Sequence, residues 1–314
     1  MKDLYGRRIN YLRISLTENC NLRCTYCKPE NCRVTRDEMT RGEVIAIIKA
    51  MAEAGIKKVR FTGGEPLLRR DLGEIIAATA STPGIDDIAV TTNGTLLEDR
   101  AELLKKSGLM RINISLDTLK SKRFKEITGG DISTVKRGIE AAKRAGIAPV
   151  KLNTVLIKGY NDDEIVDFVD LTRERDIDVR FIELMPMGDS TQWNEDKYLS
   201  SKEVLNLCPE LKSVDRDYRA SPTALYRLPE AKGRVGVINP LSDKFCDSCN
   251  RIRVTAKGRL KLCLHSDDEI DLLGALRGGE DLVPLLREYL LAKPHSHLLD
   301  EKKYIKRNMN EIGG

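Results

Sequence analysis

The sequence has few aromatics and almost no excess charge of either sign. Aromatic residues make up 5% of 314, with a single Trp, and 53 Lys and Arg stand against 48 Asp and Glu, a net charge of +5. Nucleic-acid modules combine a broad cationic surface with stacking aromatics, so no nucleic-acid partner is expected. A local cluster of arginines could still hold a small polyanion. No apolar run approaches the length that spans a bilayer, so no membrane partner is expected either. The first residues, Met1-Lys-Asp-Leu-Tyr-Gly-Arg-Arg8, lack the apolar core of a signal peptide. Eight cysteines are too sparse for a disulfide-built secreted scaffold, and the expectation is a soluble cytoplasmic chain with reduced thiols. At 41% hydrophobic residues the chain can bury a sizeable core, as one large domain or two unequal ones.

What is present centres on Cys20-Asn-Leu-Arg-Cys24-Thr-Tyr-Cys27, three thiols within eight residues, directly after the strand-like run Tyr11 to Leu16. A [4Fe–4S] cluster held by four cysteines shuttles electrons, whereas one held by three leaves an iron open to bind a small molecule. Zinc is the lesser alternative here, because a structural zinc site takes four ligands and its thiols come in Cys-x2-Cys pairs. The spacing Cys-x3-Cys-x2-Cys resembles that of the radical S-adenosylmethionine (SAM) superfamily. In that superfamily the open iron binds the amino and carboxylate groups of SAM, and the cofactor carries the hard chemistry while the protein positions it.

Along the chain, strand and helix patterns alternate. Thr40-Arg-Gly-Glu43 has capping-box spacing, and Val44, Ile47, Ile48 and Met51 follow at helical intervals until Gly55. Strands are expected at Lys58 to Thr62, Asp87 to Thr92, Met110 to Leu116, Ala148 to Ile157 and Asp178 to Leu184. Between them helices are expected at Asp71 to Ala80, Leu96 to Lys106, a broken stretch from Ser121 to Arg144, and Asp162 to Arg175. This recurrence argues for βαβ units around a parallel sheet. Six strands are too few for a full (βα)8 barrel, so the expected fold is α/β, a partial (βα)6 TIM-like barrel. Residues 190 to 233 are polar and weakly periodic, read as loops with a short helix near Ser201 to Leu207. The division expected is 1–222 for the barrel and 223–314 for a smaller C-terminal region.

Parallel sheets place ligands at the carboxyl ends of their strands, where the cysteine loop lies. Arg60-Phe-Thr-Gly-Gly-Glu-Pro66 follows the second strand, and its glycines let the backbone approach a ligand whose ammonium Glu65 could also meet. This stretch resembles the superfamily's Gly-Gly-Glu motif, which contacts the SAM amino group. Thr91-Thr-Asn-Gly94, Asn113-Ile-Ser115-Leu-Asp117 and Met185 lie at later strand ends, where turn formers and core residues are the plainer reading. Lys151 alternates with Val150 and Leu152 and shares a face with Asn153, into the barrel if the apolar neighbours pack on helices. A buried lysine there needs an anionic partner.

A second constellation runs Phe245-Cys246-Asp-Ser-Cys249-Asn-Arg251-Ile-Arg253, with Cys263 across an expected hairpin turning near Lys257-Gly258. Spacing alone leaves zinc, with His265 as a fourth ligand, level with a three-cysteine iron–sulfur cluster. Arg251 and Arg253 tip the balance: they leave one face of a strand beside the cysteine pair, and guanidinium forks suit phosphate oxygens.

Taken together the motifs resemble the GTP 3′,8-cyclase family of the radical SAM superfamily. The residues that carry the resemblance are Leu12-Arg-Ile-Ser15, Phe61-Thr-Gly-Gly-Glu-Pro-Leu67, Thr91-Thr-Asn-Gly94, Asn113-Ile-Ser-Leu-Asp117, Arg180-Phe-Ile-Glu183, the second cysteine constellation and the tail Met309-Asn-Glu-Ile-Gly-Gly314. The resemblance implies two [4Fe–4S] clusters, one on Cys20, Cys24 and Cys27 and one on Cys246, Cys249 and Cys263. It implies that Tyr26, Gly64, Ser115 and Met185 line SAM, and that Arg13, Arg60, Thr91, Lys151, Arg251 and Arg253 bind GTP. Gly313 and Gly314 would reach the active site, where composition alone favours a mobile tail. The implied reaction is abstraction of the C3′ hydrogen of GTP by a 5′-deoxyadenosyl radical, followed by attack of C3′ on guanine C8, in molybdenum cofactor biosynthesis. The implied partners are a low-potential electron donor and a cyclic pyranopterin monophosphate synthase that takes the product; the oligomeric state stays open, a homodimer being one option. Lys28 departs from the commonest family pattern, Cys32 is an extra thiol near the first trio, and Cys208 reads as a buried apolar residue. Rival readings are another radical SAM enzyme with an auxiliary cluster, such as a peptide-modifying one, and a non-catalytic iron–sulfur or zinc nucleic-acid module. The first would not need the Arg251/Arg253 pair or the terminal glycines.

Overall fold

A computed structural model describes residues 1–27, 37–188, 194–218 and 220–313, so Lys28, Cys32 and Gly314 lie outside the described residues. The first six strands are β1 (Tyr11–Ser15), β2 (Lys58–Thr62), β3 (Asp87–Thr92), β4 (Arg111–Ser115), β5 (Val150–Leu156) and β6 (Ile177–Glu183). Each runs parallel to the next. The crossovers carry α1 (Arg41–Glu53), α2 (Leu72–Ala80), α3 (Ala101–Lys106), α4 (Ser121–Thr128), α5 (Ile132–Arg144) and α6 (Ile165–Glu174).

Beyond β6 come α7 (Asn194–Lys197), α8 (Lys202–Leu207), β7 (Lys212–Val214), β8 (Thr223–Arg227), β9 (Val235–Ile238), β10 (Arg251–Val254), β11 (Arg259–Lys261) and β12 (Ile270–Asp271). The chain closes with α9 (Leu272–Arg277), α10 (Leu282–Leu291) and α11 (Met309–Ile312). Among the described residues twelve strands form one sheet, ordered β12-β11-β10-β1-β2-β3-β4-β5-β6-β9-β8-β7. The fold is α/β with a mostly parallel sheet, as expected, but the parallel part is wider than six strands. β10 pairs parallel with β1 and β9 pairs parallel with β6, which makes eight. Each of these two strands is four residues long, and their neighbours β11 and β8 fold back antiparallel. Such short runs between polar loops leave little periodicity to read.

Local chemistry explains the elements. At α1 the Thr40 hydroxyl accepts from the Glu43 N–H while the Glu43 side chain returns to the Thr40 N–H, a capping box. Val44, Ile47, Ile48 and Met51 form its buried stripe, each worth roughly 1.5–3 kcal/mol when fully buried. The expected break between Ser121 and Arg144 falls at Gly129, left-handed at φ 74°, which caps α4 before Asp131 caps α5. α3 begins later than its leucines suggest. Leu96 to Arg100 are spent on turns, with the N–H of Leu97 on the carbonyl of Gly94 and that of Arg100 on the carbonyl of Leu97. The stretch from 190 to 233 also holds more order than expected, since β7 and β8 extend the sheet beyond β9.

The strand alternation decides where function can sit. Leu12, Ile14, Val59, Phe61, Ile112 and Ile114 are fully buried in the core between sheet and helices. The residues between them, such as Arg13, Arg60 and Ser115, line the cavity inside the barrel.

Two glycines separate packing from propensity. A Cβ on Gly138 of α5 would lie 2.3 Å from the Gly94 carbonyl oxygen, whereas one on Gly42 of α1 would meet nothing within 4 Å. Gly138→Ala is expected to lower the stability of the metal-free chain by about 1–3 kcal/mol despite its better helix propensity. Gly42→Ala is expected to leave it unchanged or raise it by up to about 1 kcal/mol. Urea unfolding midpoints check both.

Candidate functional site

One cavity of about 330 Å3 runs through the barrel and is lined by both cysteine trios, a size typical of small-molecule sites. The first trio follows the carboxyl end of β1. Cys20 Sγ accepts from the Leu22 N–H at 3.4 Å and from Asn93 Nδ2 at 3.7 Å, and the Cys27 N–H donates to the Cys24 carbonyl at 3.0 Å. Burial, then the neighbouring Cys27, pushes the Cys24 thiol well above its ordinary pKa. A thiol so placed is hard to ionise without a cation beside it, and a bound iron would supply one.

At the same end, a Cβ on Gly63 would lie 2.6 Å from the Thr17 carbonyl oxygen, and one on Gly64 would lie 2.2 Å from that of Asn19. The pair is glycine because the β2 loop runs against the cysteine loop. Glu65 differs from the expectation that it meets an ammonium. Fully buried, its Oε1 accepts from the Leu67 N–H at 2.9 Å and the Thr92 hydroxyl at 2.8 Å, and its Oε2 from the Asn93 N–H at 2.7 Å. Burial raises its pKa to about 7. It braces the loops rather than facing the cavity. The Tyr26 hydroxyl donates to the Asp117 carboxylate, whose other oxygen accepts from the Val155 N–H at 2.8 Å. Burial lifts Asp117 to about 6. Tyr26, Gly64, Ser115 and Met185 all line the cavity at this end.

The middle is cationic. Arg253, Arg13 and Arg60 stand in register on β10, β1 and β2 and face the same cavity. Burial and the neighbouring Arg60 lower the Arg13 guanidinium to about 10; burial and Arg60 do the same to Arg180. Arg253 is held well below its ordinary value by burial, Arg13 and Arg251. The Nε–H groups of Arg13 and Arg180 are buried without a hydrogen-bond partner among the described residues. Aromatic faces hold two of these cations without neutralising them: Arg251 lies 4.6 Å from the Phe245 ring centroid and Arg60 lies 5.5 Å from that of Tyr11.

The second trio lies at the opposite end, where Cys246 and Cys249 precede β10 and Cys263 follows β11. Burial alone would raise the Cys249 thiol, but Arg251 and Lys293 bring it down to about 6, a thiolate at neutral pH. His265 is buried on the same cavity, neutral because burial lowers its pKa to about 3.

The tail is not a loose end over the described residues. Ile312 packs with Met187 and Ile305, and the carbonyl of Gly313 accepts from Arg253 Nη1. Gly313 has φ 82°, and a Cβ there would sit 2.5 Å from the Thr62 hydroxyl. Of the expected GTP contacts, Arg13, Arg60, Thr91, Arg251 and Arg253 line the cavity. Lys151 does not. It is buried on the inward face, as expected, but its Nζ pairs with Asp178 at 3.2 Å and Asp217 at 3.3 Å. Sequence reasoning passed over Arg180 and Tyr218 as site residues, although Arg180 follows Asp178 at strand spacing in β6. Cys208 is buried, as its apolar reading expects.

Three thiols towards each end and a cationic middle are the donor types that iron and phosphate oxygens require, although among the described residues no three thiols, imidazoles or carboxylates gather closely enough to hold a single metal ion. Among the described residues no helix is long and apolar enough to cross a membrane. A family model described as Radical SAM superfamily matches residues 14–172, and one described as Molybdenum Cofactor Synthesis C matches residues 177–299. The chain is 50% identical over 317 residues to a GTP 3′,8-cyclase of Peptoclostridium acidaminophilum, covering 99% of this chain and 98% of that one. It is 52% identical over 321 residues to a GTP 3′,8-cyclase of Alkaliphilus metalliredigens, covering all of both. In fold it is similar to Streptococcus suis SuiB, solved bound to S-adenosylmethionine, with a TM-score of 0.58 and 18% identity over 98% of this chain and 78% of that one.

The buried Asp117 gives a pH test. Its pKa is higher folded than unfolded, so the folded state binds the proton more tightly and loses stability as pH rises from about 4 to about 6. Asp117→Asn removes that loss, and is expected to flatten the profile of the metal-free chain by about 1–3 kcal/mol between pH 4 and pH 7, measured by urea unfolding.

Proposed function

The chain belongs to the radical SAM superfamily and, within it, to the GTP 3′,8-cyclase family, and from that premise we propose that it converts GTP to (8S)-3′,8-cyclo-7,8-dihydroguanosine 5′-triphosphate in molybdenum cofactor biosynthesis. The observation that carries this reading is the row of guanidiniums between two thiol trios. A barrel interior with so many cations and so few carboxylates calls for a polyanion, and a nucleoside triphosphate with a redox-reactive group at each end matches it.

Cys20, Cys24 and Cys27 would hold one [4Fe–4S] cluster, and Cys246, Cys249 and Cys263 a second. When bound, the first cluster with SAM supplies a 5′-deoxyadenosyl radical able to take the C3′ hydrogen of GTP; C3′ would then bond to C8 as the C8=N7 double bond opens, and one electron and one proton would complete the dihydro ring. Tyr26, Gly64, Ser115 and Met185 would line SAM. Arg13, Arg60, Thr91, Arg251 and Arg253 would bind GTP, with Arg180 added on the strength of its burial and its unpartnered Nε–H. Lys151 would join them by leaving Asp217, a residue of the cavity wall. Gly313 would help to hold Arg253 toward the substrate through its carbonyl, with Gly314 beyond it. The protein's task is positioning, because a primary carbon radical attacks whatever lies nearest. The part within 1–222 would serve SAM and supply part of the GTP site, and the part within 223–314 would serve the second cluster and supply Arg251 and Arg253 to GTP, on one shared sheet. A low-potential electron donor, a cyclic pyranopterin monophosphate synthase downstream and a cytoplasmic setting complete this reading.

Anaerobic reconstitution tests it. About eight irons per chain and GTP-dependent SAM cleavage yielding a cyclised guanine nucleotide are expected; about four irons with no such product would overturn the reading. Arg251→Ala and Arg253→Ala are expected to weaken GTP binding or turnover about 10-fold or more while iron content stays at the parent level, since a charge-assisted bond is worth about 1.5–3 kcal/mol. Loss of iron in those variants would count against the assignment.

A further inference from the structure

The segment after α10 makes contacts that the reading above leaves unused. Lys293 is 3% exposed, lines the cavity, and donates from Nζ to the Arg251 carbonyl at 2.9 Å and to the Leu262 carbonyl. Arg251 lies two residues past Cys249, and Leu262 directly precedes Cys263. One ammonium therefore ties together the two chain segments that carry these cysteines. Four residues on, the backbone of His297 favours the ionised form of Cys246, although burial raises that thiol overall.

Arg7 secures this segment. Its Nε donates to Asp3 at 2.6 Å, its Nη1 to the carbonyls of Cys246 at 3.0 Å and His295 at 2.7 Å, and its Nη2 to those of Lys293 at 3.3 Å and Pro294 at 2.7 Å. That uses all five guanidinium N–H donors, in a buried setting. The N-terminal arm, 239 positions away from Cys246 in sequence, thus pins the strap 293–297 against the second trio.

Lys293 also brings a fixed charge. Burial, with Arg7 and Arg251, lowers the pKa of its ammonium, while Cys249 and Cys263 work the other way. A buried cation beside a cluster favours the form with one more electron, because the added negative charge lies in a low-dielectric setting near a positive one. We infer that Lys293, held in place by Arg7, is a positioning residue that organises the second trio and raises the reduction potential of the cluster bound there. This rests on the two-cluster reading above.

The test uses the full chain carrying Cys20→Ala, Cys24→Ala and Cys27→Ala, reconstituted anaerobically, so that the electron paramagnetic resonance signal comes from the second site alone. The potential is titrated in that parent and with Lys293→Gln, which keeps an amide donor without the charge, and Lys293→Arg, which keeps the charge. The expected result is a fall of about tenfold in the reduced-to-oxidised ratio at fixed potential for Lys293→Gln, about 59 mV for one electron, with Lys293→Arg near the parent. Loss of the cluster in Lys293→Gln alone supports the same assignment. An unchanged potential in Lys293→Gln, or loss of the cluster in both variants, overturns the inference while the two-cluster reading stands. A parent that binds no cluster overturns that reading and the inference with it.

Discussion

Like-charge repulsion inside the barrel is the constraint on which the rest of the structure depends. Arg253, Arg13 and Arg60 occupy matching positions on three adjacent strands. Adjacent strands lie about 5 Å apart, and two unit charges at that distance repel by about 3 kcal/mol at an effective dielectric constant of 20. The parallel ladder keeps the three side chains together, because the alternation that sends Leu12, Ile14, Val59 and Phe61 into the core sends the arginines inward. Apolar burial on one face of the sheet thus maintains an electrostatic deficit on the other. A polyanionic substrate relieves it.

The surrounding elements contain that deficit without cancelling it. Aromatic rings of Phe245 and Tyr11 offer faces rather than carboxylates, and the tail offers a backbone carbonyl to Arg253. Asp178 is committed to Lys151 and Arg234, and Asp217 to the same two cations, at the amino ends of the strands. The carboxylates Asp117 and Glu65, at the other end, have pKa values raised by burial and carry less charge than exposed ones would. The site is therefore graded: a thiol trio, weakly acidic groups, a cationic middle, and a second thiol trio. The proposed reading, with SAM at the first trio and the triphosphate on the cationic middle, maps onto that gradient.

Much of this was legible in the sequence, because the informative patterns are local. Cys20 to Cys27 announces its chemistry by spacing, α1 by its capping box, and Arg251 with Arg253 by the period of a strand. β2 and β3 have the expected bounds, and β1, β4 and β6 fall within one residue of theirs. The eight-strand width was not legible, since β9 and β10 are four residues each and gain their place from partners more than fifty residues away. The parity of Lys151 could be read, but its pairing with Asp178 follows from the register of β5 on β6, which no single strand reveals. Glu65 misleads for a related reason: its partners Thr92 and Asn93 come from the carboxyl end of the next strand, β3. The docking of Gly313 depends on the cavity into which it fits, and composition carries no trace of it.

The central claim is that the cationic row exists to hold a triphosphate. Its most direct measurement is equilibrium binding of GTP and of guanosine to the same anaerobically reconstituted chain at fixed ionic strength. Charge-assisted phosphate contacts are worth about 1.5–3 kcal/mol each, so the account predicts that guanosine binds at least about 100-fold more weakly than GTP. Equal affinity for the two would place the recognition in the base alone and contradict the account.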